Sequence, residues 1–157
     1  MTRLYGRAPR GERVVGTVPQ NHGAHVTMLA ALGSHGVEAV RTIAGASDAE
    51  VFRAYVARVL RPTLCPGDLV IMDNLRAPKA AGIREAIEQA GAQVLYWPPY
   101  SPDLSPIEPC WSKRKTALRT AKARTREARE HAIAQALATI TIADAHSWFH
   151  HCGYALQ

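Results

Sequence analysis

The sequence predicts a single α/β domain, and a strand–helix–strand unit in the middle of the chain carries this prediction. Residues 69–72 (LVIM) are apolar and are closed by Asp73 and Asn74, as in a buried strand that stops at a polar edge. An amphipathic helix is predicted at about residues 78–90, and a second apolar strand at Gln93–Trp97. A unit of this size favours a parallel pair of strands. Their C-terminal ends then share one edge, where ligands bind in open α/β sheets.

The bulk properties fit this fold class and exclude several others. The length of 157 residues is that of one domain with a real core, and the 47% hydrophobic and 20% charged fractions are typical of globular proteins. No apolar run approaches the roughly 18 residues of a membrane span, and the polar, basic start of the chain is not a signal peptide. Three widely spaced cysteines form neither a disulfide framework nor a zinc pattern. We therefore expect a cytoplasmic protein, and its net charge of +6 suits a polyanionic partner without establishing one.

Two further elements are predicted ahead of this unit. The runs His25–Leu32 and Gly36–Ile43 favour strands and flank a Gly-Ser-His turn, which predicts a β-hairpin. A helix is predicted to begin at a capping box of Ser47 and Glu50. Because Asp48 lies inside that helix-start pattern, we expect it to cap the helix rather than to act as a catalytic acid.

A proline-rich loop after the second strand leads to another acidic residue. In the run PPYSPDLSPIEPCW, Ser105 is predicted to cap a helix whose first turn contains Pro106 and Glu108. The loop starts at the edge where Asp73 lies, so it delivers Glu108 to that edge. The residues alone leave two interpretations open. One is a turn aspartate and a helix-start glutamate favoured by the helix dipole. The other is a site for a hard cation such as Mg²⁺, for which two or three carboxylates suffice.

The segment VIMDN followed by PPYSPDLSPIEPCW resembles the DDE transposases of bacterial insertion sequences related to mariner elements. In that family the second catalytic aspartate ends a strand before Asn, and the third acid is the Glu of a Pro-Ile-Glu motif. Here 34 residues lie between Asp73 and Glu108, the spacing typical of the mariner-related branch. The resemblance extends over essentially the whole chain, from RLYGRAP to the C-terminal HCGY.

The resemblance implies a fold, a site and a reaction. The fold is ribonuclease H-like, with a mixed sheet flanked by helices. Asp73 and Glu108 are implied as catalytic metal ligands for two Mg²⁺ or Mn²⁺ ions, with Asn74 orienting them. One ion would activate water or a DNA 3′-hydroxyl, and the other would stabilise the leaving oxygen. The reaction is hydrolysis at the element ends and then strand transfer into target DNA.

A dense basic stretch follows Glu108. Between residues 113 and 129 the only acid is Glu127. A solvated helix face would explain such a stretch, but the excess of cations beside the predicted edge favours contact with the DNA backbone. The cations that we expect to bind DNA are Lys113, Arg114, Lys115, Arg119 and Lys122. A last helix or pair of helices is predicted from about Arg126 to Phe149, with Ile142 among its inward residues.

The family also has a first catalytic aspartate on a central first strand and an N-terminal helix-turn-helix region. In relatives, the segment after that strand matches the stretch that begins here at Met1. We therefore expect residues 1–157 to be an N-terminally truncated catalytic domain. A decayed copy, one reading frame of a frameshifted element, or a start assigned too far downstream would each explain this.

With two of three acids, activity is expected to fall drastically. The alternative function is therefore a catalytically inactive remnant that serves as a DNA-binding or interaction subunit. Self-association, or assembly with a full-length transposase, would also cover a sheet edge that the missing strand leaves unpaired.

Overall fold

The computed structural model describes residues 5–16, 25–74, 79–123 and 125–156, and these form a mixed α/β structure. The strands are β1 (Val26–Gly33), β2 (Gly36–Ala44), β3 (Leu69–Met72) and β4 (Gln93–Tyr96). The helices are α1 (Ala49–Tyr55), α2 (Ile83–Glu88), α3 (Ile107–Ala121), α4 (Arg126–Ala138) and α5 (Ile142–His151). The chain continues α1 as a π-helical turn, Val56–Leu60, and a 3₁₀ turn, Arg61–Thr63.

The predicted parallel pair is confirmed. β3 and β4 pair in parallel with Leu69 opposite Gln93 and Met72 opposite Tyr96. One further backbone hydrogen bond, from Trp97 N to Met72 O at 3.0 Å, extends the ladder past the end of β4. The residues that follow the two strands therefore leave the sheet at the same end.

The predicted hairpin is also confirmed, but the single mixed sheet is not found. β1 and β2 pair antiparallel across the two-residue turn Ser34-His35, with Gly33 opposite Gly36. Gly36 has φ of +122°, a conformation that side chains rarely adopt. Within the described residues, β1–β2 and β3–β4 form two separate two-stranded sheets, because each strand pairs only with its hairpin or crossover neighbour.

Helix α2 begins later than predicted. Residue 78 lies outside the described part of the chain, and residues 79–82 form turns rather than helix. The helix starts at Ile83 because Gly82 has φ of +85°, which is incompatible with a right-handed helix. Ile83 and Ile87 are one turn apart and fully buried. The core that they join comprises Tyr55, Val56, Leu60, Met72, Ile83, Ile87, Ala92 and Val94.

The N-cap of the first helix is Asp48 and not Ser47. Asp48 Oδ1 accepts a hydrogen bond from Val51 N at 2.8 Å, so Asp48 is the N-cap and its predicted capping role is confirmed. The predicted Ser47–Glu50 capping box is wrong. Asp48 has the extended backbone that an N-cap requires, and the buried Ser47 Oγ has no hydrogen-bond partner in the described part of the chain.

Helices α3, α4 and α5 pack together, and α5 also contacts β2. Cys110 of α3 is fully buried, and burial raises the pKa of its thiol to about 11. The predicted pair of C-terminal helices is confirmed, but Ile142 is 54% exposed rather than inward because it is the first residue of α5. A capping box of Thr141 and Asp144 starts that helix.

We expect Asp144→Asn to destabilise the protein at neutral pH, because Asp144 joins α5 to α3 through Lys113 as well as capping α5. Hydrogen bonds from Lys113 and Thr141 lower the pKa of Asp144 from 3.8 to about 2. A lowered carboxyl pKa stabilises the fold above 3.8, and this contribution is lost as the pH falls towards 2. Urea unfolding at several pH values should therefore show a difference between wild type and variant that narrows below pH 3.8.

Glu12→Gln, which changes an exposed acid near the N-terminus, is the control and should not alter stability. A difference for Asp144→Asn that stays constant into the acid range would contradict the role of the Lys113–Asp144 pair.

Candidate active site

Asp73 is the first residue after β3 and lies at the carboxyl edge of the parallel pair. The residue before it, Met72, is 8% exposed and belongs to the core, whereas Asp73 itself is exposed. The strand thus buries its last apolar side chain and presents a carboxylate to solvent at the next position. This is the placement that the run LVIMDN predicts.

Asn74 follows at the same edge and has an unusual environment. Its Oδ1 atom is buried and has no hydrogen-bond partner in the described part of the chain. A buried acceptor without a partner costs about 1–3 kcal/mol, so such an atom in a native protein calls for an explanation. An amide oxygen beside Asp73 is a suitable group to contact a ligand or a water of a metal ion at this edge.

Glu108 lies in the first turn of α3 and is exposed. The residue before the helix is Pro106, and no side chain caps this end. The prediction that Ser105 is the N-cap is therefore wrong. Ser105 is 5% exposed, and it contributes its backbone carbonyl, which accepts from Glu108 N at 3.1 Å.

A tyrosine near the C-terminus ties the loop before Glu108 to the sheet. Trp97 Nε1 donates to Tyr154 Oη at 2.9 Å, and Tyr154 Oη donates to Leu104 O at 2.8 Å. Together with the bond from Trp97 N to Met72 O, these contacts link the residue before Asp73 to the segment before Glu108. Sequence reasoning gave Tyr154 no role, because its partners lie 57 and 50 residues away.

Asp73 and Glu108 both carry the kind of donor that a hard divalent cation binds. Their oxygens are the donors that Mg²⁺ prefers, and Mg²⁺ is commonly held by one or two carboxylates with waters and substrate phosphates completing its shell. Among the described residues, no group of three or more His, Cys, Asp or Glu side chains could hold a metal ion, so no third such residue joins Asp73 and Glu108.

The exposed face of α3 joins Glu108 to a row of cations. At about 100° per residue, positions 108, 115, 119 and 122 fall within a narrow sector of the helix surface. Lys115 is exposed, Arg119 is half-buried, and Lys122 ends the helix in an exposed position with φ of +50°. A polyanion lying along this face would reach the Glu108 carboxylate.

Two of the five predicted DNA-binding cations, Lys113 and Arg114, make contacts within the protein, and their DNA-binding role stays a prediction. Lys113 Nζ lies 2.6 Å from Asp144 Oδ2 and donates to Thr139 O at 3.0 Å. The Arg114 guanidinium stacks over the Trp111 ring at 4.6 Å. Burial lowers the pKa of Arg114. Both positions lie away from the Glu108 face of the helix, which explains why these cations face protein.

A second basic group flanks the end of β4 and was not predicted. Lys79 Nζ lies 5.8 Å and the Arg84 guanidinium carbon 5.5 Å from the centre of the Tyr96 ring. The three side chains line a shallow open cleft. Because Tyr96 is paired with Met72, this cleft lies at the same end of the sheet as Asp73. The sequence carries no local signal for this group, because Lys79 and Arg84 lie 17 and 12 residues before Tyr96.

The described part of the chain is a mixed α/β structure with an exposed aspartate at the carboxyl end of its parallel strand pair. Residues 1–130 match the DDE superfamily endonuclease family, and the chain belongs to that family. The match includes Asp73, Glu108 and all of α3, and it ends within α4. Membership implies DNA as the substrate and a transposase-like nuclease function, and the superfamily generally uses divalent metal ions.

A search of curated proteins finds none that matches this chain. In the described part of the structure, every helix is too short or too polar to cross a membrane.

We expect Ser105→Ala to change the free energy of unfolding by less than about 0.5 kcal/mol, because the hydroxyl caps no helix. Thr125→Ala is the matched comparison, since Thr125 Oγ1 caps α4 by accepting from Ala128 N at 3.1 Å. Loss of that cap should cost about 1 kcal/mol in chemical denaturation. An equal loss in the two variants would show that Ser105 does cap α3.

Proposed function

We propose that this chain acts in DNA transposition as part of the catalytic domain of a DDE transposase, of the bacterial insertion-sequence branch related to mariner elements. The observation that carries the proposal is the hydrogen-bonded connection between the sheet end that bears Asp73 and the loop that leads to Glu108. A cytoplasmic location and a ribonuclease H-like architecture accompany this proposal.

Asp73 and Glu108 are the residues that would hold a divalent cation, Mg²⁺ or Mn²⁺. When bound, such an ion supplies Lewis-acid polarisation of a phosphodiester. Asn74 Oδ1 has no hydrogen-bond partner among the described residues, and next to Asp73 it would orient a water or a ligand at the edge. The family's arrangement of two ions requires a further acid, and we assign no residue of this chain to that role.

DNA would lie along the face of α3 that begins at Glu108. Lys115 is seven residues further along the helix, roughly 10 Å at 1.5 Å per residue, and Arg119 and Lys122 continue the row. Lys79 and Arg84 offer further positive charge beside Tyr96, at the end of the strand pair that bears Asp73. Such cations would bind the phosphates of a DNA strand.

The small number of candidate metal ligands favours a second function. No third His, Cys, Asp or Glu joins the two carboxylates in the described residues. A chain with an intact basic face and an incomplete set of acids would bind DNA, or a full-length transposase, without turnover. Self-association belongs to this second proposal.

A nicking assay on supercoiled plasmid separates the two functions. If the chain is a nuclease, wild type nicks DNA with Mg²⁺ and not with EDTA, and Asp73→Asn or Glu108→Gln lowers the rate about 100-fold or more. Asp103→Asn, which changes an exposed acid of the same loop, is the matched control and should keep the wild-type rate.

Equal rates in wild type and in both acid variants would contradict the catalytic assignment. If wild type binds the plasmid but does not nick it, the non-catalytic DNA-binding function is supported instead.

The basic face is tested by the salt dependence of DNA affinity. Lys115→Gln and Arg119→Gln should each weaken binding to any duplex sequence and reduce the slope of log affinity against log salt by about 1. Arg126→Gln is the matched control, because Arg126 lies on α4 and is paired with Glu130 at 2.9 Å. Fluorescence anisotropy over a range of salt concentrations measures all three. An unchanged slope in the α3 variants would remove this face from the DNA interface.

A further inference from the structure

We propose that Tyr154 is a positioning residue that holds the loop before Glu108 against the sheet and so keeps Glu108 placed to share a cation with Asp73. This inference rests on the proposed function, because it concerns the metal-binding role of Glu108. Tyr154 lies beyond residues 1–130, the part of the chain that matches the DDE family. The segment after that match would thus complete the geometry of the site.

The directions of the two hydrogen bonds at Tyr154 follow from the donors. The indole N–H of Trp97 can only donate, so Tyr154 Oη accepts at 2.9 Å. The single hydroxyl proton of Tyr154 is then directed to Leu104 O at 2.8 Å. One oxygen atom therefore bridges the two ends of the loop that separates β4 from α3.

The tyrosine is itself held in place by the end of α5. Its ring packs edge-on against Phe149 with centroids 5.9 Å apart, and Tyr154 N donates to Phe149 O at 2.9 Å. The chain reverses at Gly153, whose φ of +85° allows the tight turn after the helix. Because Asp144 of α5 is paired with Lys113 of α3, the helix that precedes Tyr154 is joined to the helix that carries Glu108.

The loop between β4 and α3 can form few hydrogen bonds of its own. Its prolines, at positions 98, 99, 102 and 106, carry no backbone N–H. Its internal backbone bonds are short-range, such as Leu104 N to Ser101 O at 3.3 Å and Ser105 N to Pro102 O at 3.0 Å. Such bonds shape the loop locally but do not place it against the sheet. The Trp97–Tyr154–Leu104 bridge supplies that placement.

The test uses Tyr154→Phe, which removes the hydroxyl and keeps the ring against Phe149. The probe is Mn²⁺, with the Kd measured by electron paramagnetic resonance. We expect the Kd of Tyr154→Phe to rise about tenfold, whereas Tyr100→Phe, which changes a fully exposed tyrosine of the same loop, keeps the wild-type Kd. The indole N–H resonance of Trp97 should shift in Tyr154→Phe, which reports loss of the bridge independently of metal binding.

A second comparison separates positioning from general destabilisation. If Tyr154 acts through Glu108, adding Tyr154→Phe to Glu108→Gln has no further effect on the Kd. Equal Kd values in wild type and Tyr154→Phe would overturn the positioning role and leave the proposed metal site standing. A wild-type chain that binds no Mn²⁺ would overturn both, and the same additional loss in the Glu108→Gln background would assign Tyr154 a structural role only.

Discussion

The parallel pairing of β3 and β4 is the constraint on which the rest of the structure depends. Met72 and Val94 point into the core from this pair, where Ile83 and Ile87 of the crossover helix cover them. The pairing fixes the end of the sheet at which Asp73 emerges, and the bond from Trp97 N to Met72 O makes the following loop start there too. Asp73 therefore emerges at this end of the sheet, and the loop that leads to Glu108 begins there.

The amphipathic character of α3 explains how the charges after Glu108 are divided. One face buries Cys110 and carries Lys113 and Arg114 into contacts with other parts of the protein. The opposite face presents Glu108 and, about two turns later, Lys115, followed by Arg119 and Lys122. The basic residues of this stretch therefore fall into two groups in the fold. Lys113 and Arg114 contact other protein groups, and Lys115, Arg119 and Lys122 are available to a polyanion.

The sequence predicted what depends on local patterns and missed what depends on distant partners. The parallel pair and the hairpin follow from apolar runs bounded by turn residues, and both are present. Ser47 and Asp48 both carry an oxygen that can cap a helix. Which of them is the N-cap of α1 depends on backbone angles that no residue pattern specifies. The position of Lys113 depends on Asp144, 31 residues away. Tyr154 likewise acquires its role only when the C-terminus folds back onto the loop.

The central claim is that Asp73 and Glu108 bind one cation together. The most direct measurement is the Mn²⁺ affinity of four proteins: wild type, Asp73→Asn, Glu108→Gln and the double variant. If the two carboxylates share an ion, each single substitution removes most of the Mn²⁺ affinity. The double variant then binds Mn²⁺ no more than about twofold more weakly than the weaker-binding single variant, so the two losses are strongly non-additive. Independent losses that add in the double variant, or a single substitution that leaves the affinity unchanged, would contradict a shared site.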